Sequence, residues 1–157
     1  NVGKAQTFYS SDLCSVILSN DLARHGCVQA KTHLLEGIPE MEESLVRHFI
    51  RGYFDGDGSV WHSLTGNTKE RINLSFTGNK PFLLKVQEVL VRELGVGQPN
   101  IYIRHKERNN DIGDLRYAYE PARKILEWLY SDCQYYSERK KEISLKQKFE
   151  EELIKIN

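Results

Sequence analysis

The sequence is poor in cysteine, balanced in charge and without a long apolar run, and each lack removes a class of function. Its three cysteines, Cys14, Cys27 and Cys133, are odd in number and far apart. That supplies neither a disulfide framework nor the paired spacing of a zinc site, and buried or idle thiols are the simpler reading. Lysine plus arginine number 22 against 22 aspartate plus glutamate. No overall field therefore draws the chain to a polyanion, and any such site has to come from local arrangement. No apolar stretch approaches the ~20 residues that a membrane span needs. The first residues lack the charged, apolar, small-residue order of a secretory leader. No membrane partner is expected, and the expected location is intracellular, in cytoplasm, nucleoid or an organelle. With Asn1 in place of Met, the chain reads as processed or excerpted.

What is present suits one compact domain. The chain has 157 residues, of which 39% are apolar, with a mean hydropathy of −0.54, enough to enclose an ordinary core. Residues 3–9 alternate loosely as an edge strand would, and Ser10, Ser11 and Asp12 offer N-cap oxygens to a helix bearing Leu13, Val16, Ile17, Leu18 and Leu22, which Gly26 stops. After a Gly-Ile-Pro turn, the acids at 40–43 sit where a helix dipole favours them. The helix they begin carries Leu45, Val46, Phe49, Ile50, Tyr53 and Phe54, apolar around more than one face. Gly52 within it costs about 1 kcal/mol relative to Ala, so close approach of another helix is a reason for it. Asp55 and Asp57 fall at the opposite, negative end and need a compensating cation.

Beyond Gly58, SVWHSL and KERINLSF alternate with the period of strands around a TGNT turn, giving a hairpin. One face of it carries Val60, His62, Leu64, Ile72, Leu74 and Phe76; the other carries Trp61, Ser63, Arg71, Asn73 and Ser75, a set rich in donors. Pro81 opens a helix that Gly95 ends. IYIRHKER and LRYAYE form a second hairpin around the loop NNDIGD, with Tyr102, Arg104, Lys106, Arg108 and Arg116 in or beside it. Pro121 begins another helix, and a charged helix runs from about Ser137 to Ile154. The order from 40 to 131 is thus helix, hairpin, helix, hairpin, helix. Two hairpins joined in one sheet leave one face for the helices and one open. The open face is either an ordinary solvated surface or a ribbon suited to a DNA major groove.

The run Ile50-Arg51-Gly52-Tyr53-Phe54-Asp55-Gly56-Asp57-Gly58 resembles the signature of the LAGLIDADG homing endonucleases, an intron- or intein-borne type. Its Gly, Asp, Asp and Gly positions are filled, whereas Arg51 stands where a small residue is usual. The resemblance implies an α+β fold, an αββαββα half-domain whose antiparallel saddle sheet binds DNA, with two signature helices packed through their small residues. It implies a metal held at Asp57 and Gly58, Mg²⁺ or another divalent cation such as Mn²⁺, which would activate water for phosphodiester cleavage. Asp55 is expected to orient the helix end instead. Asn79, in the turn after the second strand, matches a residue that positions water. In the basic cluster Arg139-Lys140-Lys141 the resemblance gives Lys140, with Lys141 as the alternative, the part of stabilising phosphate charge. A calcium loop fits less well: Asp55, Asp57 and Ser59 match its first ligands, but its obligatory Gly and Glu fall on Val60 and Gly66.

A shift of 109 places Phe8 on Tyr117, Val16 on Ile125 and Lys31 on Lys140. In the family's context residues 1–36 resemble the last strand, helix and lysine of a first half-domain, with 37–157 as the second half. Lys31 is then a second catalytic lysine, and the chain reads as the C-terminal part of a two-signature protein. The partners implied are a double-stranded DNA site and a second half, upstream, on another chain, or in a homodimer. The function implied is a site-specific double-strand DNA endonuclease; the alternative is a non-cleaving nucleic-acid binder of the same fold, an RNA maturase or transcription regulator.

Overall fold

The structure, a computed structural model, describes residues 14–24, 37–64, 70–104 and 112–144. The chain divides into two compact units, Asn1–Lys31 and Thr32–Asn157. In the first, helix α1 (Val16–Arg24) has no buried residue. Ser15 starts it, its hydroxyl accepting the Leu18 amide hydrogen at 3.2 Å. The edge strand expected at 3–9 and Lys31 lie outside the described residues.

The second unit is a helical layer on one face of a sheet. Its elements are α2 (Glu43–Asp57), β1 (Ser59–Leu64), β2 (Glu70–Asn79), α3 (Lys80–Leu94), β3 (Tyr102–Ile103), β4 (Ile112–Ala118) and α4 (Tyr119–Tyr130). A further helical stretch, α5, covers 138–144. The four strands are antiparallel in the order β1-β2-β4-β3. The αββαββα order expected from the signature is the order found. No helix among the described residues is long and apolar enough to cross a membrane.

Alternation fixes which side of the sheet is covered. Val60 pairs with Leu74 and His62 with Ile72, and Val60, Ile72, Leu74, Phe76, Leu115 and Tyr117 are buried beneath the helices. Ile50 and Phe54 from α2, Phe82, Leu83, Val86 and Leu90 from α3, and Ile125, Leu126 and Leu129 from α4 complete the core. Trp61 pairs with Asn73 and Ser63 with Arg71 on the other face, so the hairpin has the register its alternation predicts. A one-residue slip would have exchanged the two faces.

Boundaries differ from expectation in two places, each for a local reason. Helix α4 begins at Tyr119, two residues before Pro121, because proline's missing N–H falls in a first turn whose donors have no helical partner. Strand β4 starts at Ile112, so Gly113 and Asp114 are strand rather than loop. A Cβ at Gly113 would lie 2.8 Å from the Tyr102 carbonyl oxygen and 2.9 Å from Ile101. Glycine there lets β3 approach β4, which a reading of Gly-Asp as turn residues misses.

Candidate nucleic-acid interface and signature helix

The site is built around the end of α2. Arg51 turns inward and is buried, its guanidinium 2.8 Å from the His48 ring nitrogen and 3.5 Å from the Leu129 carbonyl oxygen at the end of α4. A cation at a helix C-terminus is favourable. The unusual signature residue therefore serves the contact with α4 and stays off the glycine side. Leu45, Gly52 and Gly56 are exposed and Phe49 is half-buried. At spacings of three and four they form one stripe. A Cβ at Gly52 or Gly56 meets nothing within 4 Å, so among the described residues this side of the helix is open.

The two aspartates have different environments. Asp55 accepts hydrogen bonds from the Tyr130 hydroxyl at 2.7 Å and the Ser137 amide at 3.1 Å. It ties α2 to α4 and to the approach of α5, and burial together with that carboxylate pushes the Tyr130 hydroxyl pKa well above the ordinary tyrosine value. Asp57 is exposed, and no described residue hydrogen-bonds or ion-pairs with it. Its charge is felt nearby: burial first, then Asp57, pushes the Tyr53 pKa up to about 12. The Tyr53 hydroxyl donates to the Thr77 carbonyl at 2.6 Å, fastening the end of β2 to α2.

The compensating cation at this helix end is Lys140. It is only 3% exposed, and its ammonium donates to the carbonyl oxygens of Phe54 at 2.5 Å, Asp55 at 2.9 Å and Gly58 at 2.6 Å. The last carbonyls of a helix have no partner within it, and here one side chain satisfies three. Burial lowers the Lys140 pKa, with Asp55 opposing that shift. The ammonium for which the resemblance implies a role at the phosphate is here engaged with backbone, and the Gly58 oxygen, implied as a metal neighbour, accepts one of its hydrogen bonds. Gly58 has another reason to be glycine: a Cβ would stand 2.2 Å from the Phe54 ring and 2.6 Å from its carbonyl oxygen.

Asn79 ends β2 and caps α3, its side-chain oxygen accepting the Phe82 amide at 2.9 Å. That is the ordinary work of an N-cap asparagine. Lys141 lies elsewhere, over the Tyr136 ring at 3.7 Å.

The open face of the sheet carries Trp61, Ser63, Arg71, Asn73, Tyr102, Arg104 and Arg116, all expected there. Asn73 donates to the Ser63 hydroxyl at 2.9 Å. Arg71 lies over the Tyr119 ring at 4.0 Å, and Arg116 over Tyr102 at 5.3 Å. Ser75 shares this face by register but is buried. Its hydroxyl is enclosed, unlike the exposed donors beside it. Lys106 and Arg108 lie outside the described residues.

Asp114 was not singled out from sequence, because it reads as part of the loop. It is fully buried on the open face. It accepts from Thr77 Oγ1 at 2.8 Å, from Arg104 Nε at 2.9 Å and Nη2 at 2.5 Å, and from Arg116 Nη2 at 2.9 Å. Burial favours its neutral form, but the hydrogen bonds from Arg104, Thr77 and Arg116 outweigh it, and the carboxyl sits below its ordinary pKa. A signal was present, since Asp114, Arg116 and Ala118 alternate as strand residues do.

Among the described residues the half-layer thus leaves two surfaces uncovered, a glycine-bearing helix stripe and an arginine-bearing sheet face. Residues 44–129, more than half of the chain, match the LAGLIDADG-like domain, and the chain belongs to the LAGLIDADG homing endonuclease family. Domains of this family bind DNA and pair with a second domain. No curated protein matches the chain.

Proposed function

We propose that this chain is one catalytic half of a site-specific, metal-dependent DNA endonuclease that hydrolyses phosphodiester bonds on both strands of its target. The observation that carries this reading is the contrast between the two signature acids. Asp55 is engaged in holding α2, Lys140 donates to the helix carbonyls, and Asp57 is left exposed at the same helix end with no partner among the described residues.

That carboxylate suits a hard divalent cation: it is an oxygen donor in reach of solvent, at the end of a helix that disfavours its charge. Mg²⁺ typically takes one or two carboxylates and completes its shell from water and phosphate oxygens. When bound, Mg²⁺ or Mn²⁺ would supply a more acidic water and charge stabilisation at the departing oxygen. The chain's own residues do the rest. Lys140 and Asp55 fix the helix end that presents Asp57. Asn79, at the end of β2 that Tyr53 ties to α2, is assigned to orienting water on the family pattern. The stripe of Leu45, Phe49, Gly52 and Gly56 receives the signature helix of a second half, which brings a second acid beside Asp57. Trp61, Ser63, Arg71, Asn73, Tyr102, Arg104 and Arg116 face the DNA.

The test is cleavage of DNA carrying the target site in the presence and absence of Mg²⁺, with the chain assembled with its second half. Wild-type protein should cut only with the metal. Asp57→Asn should lower the cleavage rate at least a thousandfold and leave binding within a fewfold. Binding without cleavage by the wild type would exclude the nuclease and leave a maturase or regulator of the same fold.

A further inference from the structure

On the open face one buried carboxylate holds two half-exposed arginines. Resting on the DNA-binding reading above, we propose that Asp114 is a positioning residue that fixes Arg104 and Arg116 as a rigid pair for reading guanine edges in the major groove.

A surface that only gripped phosphates would be weakened by an acid among its arginines, since each neutralised cation releases fewer counterions on binding. Asp114 nonetheless lies beneath this face, opposite Thr77 and Tyr102 in the ladder and two residues from Arg116 on the same strand. It removes one unit of attraction and supplies orientation in exchange.

The donors are divided in a way that suits this. Arg104 turns Nε and Nη2 to the carboxylate, and Arg116 turns only Nη2 to it. A guanidinium has five N–H donors in a fixed fork, so each keeps further donors, including both on Nη1, beyond those that grip Asp114. The side chains remain 47% and 57% exposed although their anchor is fully buried. Tyr102 supports Arg116 from the side. A bidentate contact to guanine O6 and N7 needs such a plane held in place, whereas a phosphate contact tolerates a mobile cation. Holding the side chain beforehand reduces the ordering that binding would otherwise require.

The experiment is selection of bound sequences from a randomised DNA duplex pool by the full chain. Wild type should enrich guanine at one or two positions. Asp114→Asn should lower that enrichment about tenfold at those positions alone, with the other preferences kept and the salt dependence of binding steeper. Arg104→Lys and Arg116→Lys keep the charge and the buried ion pair but not the fork, and each should lose guanine at one position. These two variants decide the matter if Asp114→Asn fails to fold. Guanine enrichment unchanged in the variants that fold overturns the role of Asp114 and its arginines while DNA recognition stands. A wild type that enriches no sequence overturns the base-reading interface itself.

Discussion

Lys140 shows how much one side chain can carry. Its ammonium meets three carbonyl oxygens at the end of α2 while lying 5.1 Å from the centre of the Phe54 ring. Lys140→Met keeps the aliphatic stem but leaves those carbonyls without this donor, at about 1–3 kcal/mol for each acceptor that water cannot reach. We expect a loss of about 3 kcal/mol in urea unfolding. Asp114 makes a pH-dependent contribution of known sign. Its folded pKa lies below the unfolded carboxylate value of about 4. The stability it lends is therefore present above that value and lost as pH falls through the folded pKa. Between pH 6 and pH 3 the melting temperature of wild type should drop further than that of Asp114→Asn.

Helix α2 presents two sides with opposite demands. Val46, Ile50 and Phe54 are buried against the sheet and α4, while the glycine stripe is open. At Gly52 no neighbour among the described residues opposes a methyl group, and alanine is the better helix former by about 1 kcal/mol. Gly52→Ala should therefore raise the unfolding free energy of the unpaired chain by roughly that amount. The same methyl group should weaken association with the second half and lower cleavage, measured by sedimentation and by the Mg²⁺ assay. Equal activity in the variant would show that the helices do not meet through this stripe.

Across the molecule, the parts legible in sequence are those set by short-range period and by the signature. The two faces of the β1–β2 hairpin, the start of α3 near Pro81 and its stop at Gly95, and the outward side of α2 all follow from local spacing. The partners of Asp114 and of Gly58 were not legible, because they come from other segments. The carboxylate of Asp114 is satisfied by Thr77 and Arg104, and the carbonyl of Gly58 by Lys140, 82 residues later. Long-range polar contacts leave no periodic trace. The last of these has a consequence for the order of synthesis. A ribosome makes α2, the sheet and α4 before it makes Ser137 and Lys140, which complete the end of α2. Until those residues emerge, the nascent chain carries the signature aspartates on a helix end that Tyr130 can hold through Asp55 but whose last carbonyls still lack the Lys140 ammonium, so the turn bearing Asp57 is completed only as translation passes the rest of the half-domain.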